Sequence, residues 1–457
     1  MKKLLLISAT TLAVITSKAQ VCFSPPSDSV YTNTSGFTSI IHADFNNDGD
    51  VDIACTNDWP NAVSVFMGNG VGGFSSPVNY TTAPNSPYSP SVGDFNGDGN
   101  IDIVTADFFS GLVVLLGNGS GGFSTTSFIS TGVNVKVKST VCADFNADGN
   151  TDIVGICETI ANGIVILTGN GSGGFSAPTY TSITAGPTAI ASADFNADGK
   201  PDIAITEQNN LNIYIGNGTG GFLAPTAIAI NGYLPEILCK DFNADSKIDI
   251  AVTGYNNNSI AILLGNGSGG FFAPTNFSTT LMPSSLGSGD FDSDGNLDLI
   301  VTERSYGFHT MNLLTGNGAG SFASPISLST TRSVISADGV DLNSDNKHDL
   351  LILHDSSVVS VWINCNTSTG ITVNEMKELQ ELSVYPNPSN GLFYISELPK
   401  NAVVTVYNTI GQQLSNVLLT TTEKNEINLT GHPNGIYFYE ISTTNEIVKK
   451  GKLVLEP

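Results

Sequence analysis

Carboxylates are concentrated in this chain. Of its 41 Asp and Glu residues, 23 fall in seven nine-residue segments starting at Asp44, Asp94, Asp144, Asp194, Asp241, Asp290 and Asp341. The shared pattern, D-x-[DN]-x-D-G-x-x-D, puts side-chain oxygens at positions one, three, five and nine of a tight loop. Hard oxygens at alternating positions suit Ca2+, with the carbonyl at position seven as a further donor. Mg2+ fits less well, because it keeps its waters and demands octahedral geometry. The candidate ligands are Asp44, Asn46, Asp48 and Asp52; Asp94, Asn96, Asp98 and Asp102; Asp144, Asn146, Asp148 and Asp152; Asp194, Asn196, Asp198 and Asp202. They continue with Asp241, Asn243, Asp245 and Asp249; Asp290, Asp292, Asp294 and Asp298; and Asp341, Asn343, Asp345 and Asp349. Solvated Asx turns without metal are the simpler alternative. Seven-fold repetition of so much like charge argues against them, since divalent ions would cancel that repulsion. Position six calls for left-handed backbone, hence Gly in five copies. Ser246 and Asn346 replace it in the fifth and seventh. Asn tolerates that region better than Ser, so the fifth site is expected to be the weakest.

Short strands must carry these loops. The copies recur every 47 to 51 residues. Each is followed by an apolar β-rich burst such as Ile101–Thr105. The first six continue with a second burst ending in Gly-Asn-Gly, a third extended stretch opened by a Gly-Gly-Phe element (Gly-Ser-Phe in the sixth) and a fourth that leads into the next loop. Four strands per period of about 50 residues is the signature of a β-propeller. The seventh unit stops at Cys365 without a Gly-Asn-Gly element, while Cys22-Phe23-Ser24 near the start resembles Gly73-Phe74-Ser75. The N-terminal stretch is therefore expected to supply the last outer strand and close the ring. Cys22 and Cys365 then sit where other units have a covalent turn, and a disulfide would replace it in an oxidising compartment; the alternative is two free thiols. Cys55, Cys142, Cys157 and Cys239 fall in strands and read as small core residues, with no CxxC spacing for a metal.

The loop and the Gly-Gly-Phe element together resemble the FG-GAP/VCBS repeat family, whose blades also build the head of integrin α chains. The resemblance covers about residues 22–365. It implies Ca2+ loops between the first and second strands on one face, and ligands on the opposite face or in grooves between blades. After Cys365 comes a Thr- and Ser-containing linker, 366–379, and then Tyr385-Pro386-Asn387-Pro388, Gly391, the Gly435-Ile436-Tyr437 strand and Lys450-Gly451-Lys452-Leu453-Val454. Several short alternating strands in about 80 residues read as a small β-sandwich. Residues 380–457 resemble the type A sorting domain of the type IX secretion system. That resemblance implies recognition by the secretion machinery, passage across the outer membrane, and release or attachment at the surface. The expected architecture is all-β: a seven-bladed propeller over 20–365 followed by an Ig-like sandwich.

The ends and the charge restrict function further. Residues 1–19 carry Lys2 and Lys3, an apolar run over Leu4–Ile15 and small residues at Ser17 and Ala19, a secretory signal with its cleavage site. Val21 before Cys22 is not the small residue that lipidation uses. A formal charge of −24 excludes nucleic acid and anionic membrane as partners. No apolar stretch beyond the leader approaches a membrane span. His42, His309, His348, His354 and His432 belong to no catalytic motif, and GxSxG, HExxH and phosphate-cradling loops are absent, so the chain reads as a binding or structural protein and not an enzyme. Aromatics at turns away from the acidic loops mark a candidate face for an extracellular protein or glycan: Trp59, Tyr88, Phe108, Phe109, Tyr233, Tyr306 and Phe308. Their failure to repeat from unit to unit favours one asymmetric protein-binding face over a lectin with seven like sites.

Overall fold

The computed structural model describes residues 21–24, 27–30, 35–82, 87–107, 111–125, 128–132, 135–158, 163–183, 186–230, 232–303, 310–355, 357–366, 384–395, 403–408, 412–418, 426–442 and 447–456. The leader, most of the linker, and Phe108, Phe109, Tyr306 and Phe308 lie outside them. The chain divides into two compact units, Met1–Thr369 and Gly370–Pro457. Among the described residues there is no α-helix, one 3-10 turn at Tyr255–Asn257, and no helix long and apolar enough to cross a membrane.

The first unit holds seven antiparallel sheets, six of them each built from one continuous stretch of chain. In the first, Ser35–Ala43, Asp52–Trp59, Ala62–Phe66 and Val78–Thr81 lie side by side in chain order. The seventh combines Val334–Val340, Asp349–His354 and Val358–Trp362 with Ser27–Val30 from the other end of the chain, with Ser27 opposite Val361 and Val30 opposite Val358. The first strand of every sheet packs beside that of the next, and the seventh returns to the first. A closed ring of sheets is a propeller, and it leaves no end sheet open to edge pairing.

Sheets stack through apolar faces because the second and third strands are buried on both sides. They read as continuous runs such as Ile203-Ala204-Ile205 and Leu112-Val113-Val114-Leu115, all fully buried or nearly so. Between the sheets a repeated latch forms at the acidic loops. The aromatic ring at loop position two meets the Gly-Gly-Phe ring of the following sheet edge-on: Phe45 with Phe123, Phe95 with Phe175, Phe145 with Phe222 and Phe195 with Phe271, at centroid distances of 5.5 to 5.7 Å. The carbonyl of the same residue accepts an N–H from the first glycine of that element, as from Gly173 to Phe95 at 2.9 Å. Leu342 takes the aromatic's place in the seventh loop and accepts from Gly72, which carries the latch across the closure.

The seventh sheet receives its latch differently. Phe23 packs edge-on to Phe291 at 6.0 Å and bridges Asn364. The Phe291 carbonyl accepts from the Asn364 and Asn366 side-chain amides at 3.1 and 2.6 Å. Cys22 and Cys365 are joined by a disulfide, and the Cys365 N–H donates to the Cys22 carbonyl. Cys55 and Cys157 are buried in second strands, whereas Cys142 and Cys239 are only half-buried on first strands. Cys142 and Cys239 still pack against the hydrophobic clusters of the sheets.

In the second unit, one sheet orders Val384–Tyr385, Leu392–Ile395 and Glu426–Asn428. The other orders Gln413–Leu418, Val403–Tyr407, Gly435–Ser442 and Ile447–Leu455. Phe393, Ile395 and Ile427 from the one share a core with Val404, Val406, Tyr437, Tyr439, Ile441 and Leu453 from the other, the arrangement of a small two-sheet sandwich.

Candidate metal centres

Each acidic loop links the first strand of a sheet to the second. In the first, Asp44 Oδ2 accepts from the Gly49 N–H at 2.9 Å, Asn46 Oδ1 from Asp48 at 2.9 Å, and Asp48 Oδ1 from Asp50 at 2.9 Å. The other six repeat the bond from position six to position one at 2.7 to 2.9 Å. All seven loops are thus closed by the same bond. In the sixth loop the carboxylates of Asp290, Asp292 and Asp294 offer oxygens all within 4.8 Å of one another. Three anionic oxygens so close, held on backbone and in a mostly exposed turn, match the donor chemistry of a Ca2+ ion.

Position nine has a second task that its place in the motif does not reveal. Asp52, Asp102, Asp152, Asp202, Asp249, Asp298 and Asp349 are all fully buried. One carboxylate oxygen accepts from the N–H at loop position two, as Asp102 does from Phe95 at 2.8 Å. The other accepts from the first residue of Gly-Asn-Gly, as Asp102 does from Gly117 at 2.7 Å. That draws the hairpin so close that a Cβ on Gly117 would stand 2.2 Å from the Ile101 carbonyl oxygen. This contact explains the first glycine of the element. In the seventh sheet the Asn364 N–H fills the role, at 2.7 Å to Asp349.

Backbone conformation adds a further feature. Position six is left-handed even where it is not glycine, with φ of 64° at Ser246 and 63° at Asn346. Position four is left-handed as well, at Asn47, Gly97, Ala147, Ala197, Ala244, Ser293 and Ser344. The signal was present as a run of small and turn-forming residues. Ala carries a steric cost there of about 1–2 kcal/mol, which the loop's hydrogen bonds offset.

Electrostatics separates the positions. Asp98 and Asp148 at position five are held below the usual carboxylate range, chiefly by the N–H groups of Asn100 and Asn150. Burial pushes Asp52 and Asp102 up, against the pull of their two backbone N–H donors. In the sixth loop burial raises Asp298 to about 7, and burial with the neighbouring Asp294 raises Asp292 to about 6. Carboxylates crowded in this way are the ones a cation would relieve most.

These roles predict unequal mutants. Asp102→Ala leaves two N–H groups without their acceptor and should cost about 2–5 kcal/mol even in chelator. Asp98→Ala, exposed and outside the sheet, should cost little in chelator and show its effect only with metal present. Denaturant melts of both variants in each condition check this; equal losses in chelator would contradict the division of labour.

Of the aromatic candidates, Trp59, Tyr88 and Tyr233 fall within the described residues. Trp59 is 69% exposed and Tyr233 is 43% exposed, edge-on to Tyr255 at 6.0 Å. Tyr88 lies within the first strand of the second sheet, not in a turn, and its hydroxyl donates to the Val137 carbonyl of the third. It packs between sheets.

A ring of antiparallel sheets with an acidic loop at each first turn defines a repeat β-propeller. The chain belongs to the FG-GAP-like repeat family, whose model matches residues 44–105, 94–155, 144–205, 194–235 and 241–301. Residues 383–456 match the secretion system C-terminal sorting domain, so this is a type IX cargo destined for secretion and the cell surface. No curated protein matches the chain in sequence. Among solved structures it is similar to BBS1N in complex with ARL6DN, at 12% identity and a TM-score of 0.55 over 76% of this chain and 98% of that one. Virginiamycin B lyase from Staphylococcus aureus is similar at 12% identity and a TM-score of 0.50, over 74% and 98%. PorZ of the Porphyromonas gingivalis type IX system aligns at 12% identity and a TM-score of 0.44, over 89% and 58%. At such identities the first two show the propeller fold alone.

Proposed function

We propose that this protein is a Ca2+-loaded propeller that acts at the cell surface as a binding or adhesion scaffold and has no enzymatic activity. The convergence of Asp290, Asp292 and Asp294, repeated as a loop geometry in the other six sheets, supports the metal. Positions one, three and five are the ligands, and position nine adds its charge while tying the loop to the sheet. The ion cancels repulsion that the propeller otherwise carries on one set of turns. The sorting domain delivers the molecule, and the surface between and opposite the loops meets an extracellular protein or glycan.

Proton competition tests the metal reading. Asp298 and Asp292 titrate near 7 and 6, above the ordinary carboxylate range, so the metal-free fold holds protons that the unfolded chain has already released. Their contribution to metal-free stability is therefore neutral at about pH 4 and becomes increasingly unfavourable as pH rises through 7. Ca2+ binding displaces those protons, so the sixth loop's affinity should fall as pH is lowered from 7.5 to 5.5. Calorimetric titration of an Asp294→Asn variant against the parent isolates that loop. An affinity independent of pH, or no binding at all, contradicts the proposal.

A further inference from the structure

A cleft of about 510 Å3 opens between the third and fourth sheets, within the roughly 300–1,000 Å3 usual for small-molecule sites. Its floor is a ladder on one face of the fourth sheet. Glu207 stands opposite Asn210, Asn212 opposite Ala227, and Tyr214 follows on the same face. Glu207 is 3% exposed; its Oε1 accepts from the Tyr214 hydroxyl at 3.0 Å. No other hydrogen bond to the Glu207 carboxylate is made by the described residues, and the side chain lines the cleft.

The sixth sheet shows what a purely structural carboxylate looks like at the same place. Glu303 is equally buried, yet it accepts from the Thr280 hydroxyl at 2.6 Å, the Leu281 N–H at 2.6 Å, the Thr310 hydroxyl at 3.0 Å and the Asn312 amide. Asn312 is further fixed by Ser327. The fourth sheet keeps the Glu and the Asn, has Ala227 where the sixth has Ser327, and turns the carboxylate to the cleft. A carboxylate that meets one protein donor and faces a cleft keeps acceptor capacity for the hydroxyls of a ligand.

We propose that this cleft binds a neutral sugar residue, whose hydroxyls donate to Glu207 and exchange hydrogen bonds with Asn210 and Asn212. Phe222, Leu223 and Pro225 form an apolar wall against which the C–H face of a pyranose would lie. Among the described residues no Lys, Arg or His lines the cleft, and the Glu207 carboxylate disfavours anions, so sialylated, uronic and sulfated termini are excluded. An aromatic cage of the kind that holds quaternary ammonium groups is absent from the described lining. The site rests on the reading of the chain as a binding protein and gives that reading a ligand class.

The test uses the mature full chain in Ca2+ on an array of neutral, sialylated, uronate and sulfated glycans, followed by calorimetry with the best-retained free sugar. Neutral termini should be retained. Glu207→Gln should weaken binding at least roughly tenfold, and Ala227→Tyr, at an exposed position, should abolish it by filling the cleft. Glu303→Gln should leave the sugar affinity unchanged. Preference for acidic termini overturns the proposal, as does binding that neither cleft variant alters. Glu207-dependent binding of tetramethylammonium in place of sugar overturns it also. Should Glu207→Gln fail to fold, Ala227→Tyr still decides the matter. Absence of sugar binding in every form, with Ca2+ uptake and surface delivery intact, overturns this site and leaves the function proposed above standing.

Discussion

Excess EDTA should lower the melting temperature of the mature protein by an amount on the order of 20 °C, and stoichiometric Ca2+ should restore it. The size follows from linkage: a site held at a hundredfold its dissociation constant adds about 2.7 kcal/mol to the folded state. Seven such loops, each with at least three carboxylates, would dominate the stability of a domain whose net margin is ordinarily about 5–15 kcal/mol. Each kcal/mol moves the transition by only a few degrees or less in a chain this long, which is why the loss is large but finite. Mg2+ should restore much less than Ca2+, because the loops offer a wide, mixed set of carboxylate, amide and carbonyl oxygens. Unchanged melting in EDTA, with no metal detected by mass spectrometry, would contradict the calcium proposal while leaving the fold untouched. The metal-free protein should also show the opposite pH trend from the loaded one, since only the ion removes the penalty at Asp298 and Asp292.

A chain ending at Thr369 should fold and bind Ca2+ as the full protein does, yet fail to reach the surface. The ring closes before that point: Ser27–Val30 completes the seventh sheet, and the Asn366 side chain seals its latch on Phe291. The second unit has its own core around Phe393, Val406 and Ile441, so neither unit needs the other's apolar surface. Melting curves and Ca2+ titrations of the truncated chain read the first half of the expectation. Cell fractionation in a host with type IX secretion reads the second, and periplasmic accumulation is the expected result. Normal export would contradict the sorting role of residues 383–456, and failure to fold would contradict the division at Thr369.

Repetition made the propeller legible. A nine-residue acidic pattern at nearly constant spacing, with three further apolar bursts in each period, can be satisfied by few architectures, and only strands bury such short runs on both faces. The sorting domain was legible for a related reason, since Tyr385-Pro386-Asn387-Pro388 and the terminal lysine-rich strand are local features read without any knowledge of packing. Everything decided by contacts between distant segments stayed hidden. Nothing in the motif separates Asp102 from Asp98, yet one is a buried tie to Gly117 and the other an exposed carboxylate at the loop. Asn364 at the end of the seventh unit and Asn366 at the start of the linker look ordinary until Phe291 is brought to them from 73 and 75 positions away. Tyr88 reads as a turn aromatic free to meet a ligand, but the neighbouring sheet supplies the Val137 carbonyl and draws it inward. Glu207 and Glu303 are the same residue at the same point of the repeat. Only the side chains that each sheet and its neighbour bring to them make one a satisfied structural carboxylate and leave the other facing an open cleft, because hydrogen-bond satisfaction depends on partners that sequence spacing does not contain.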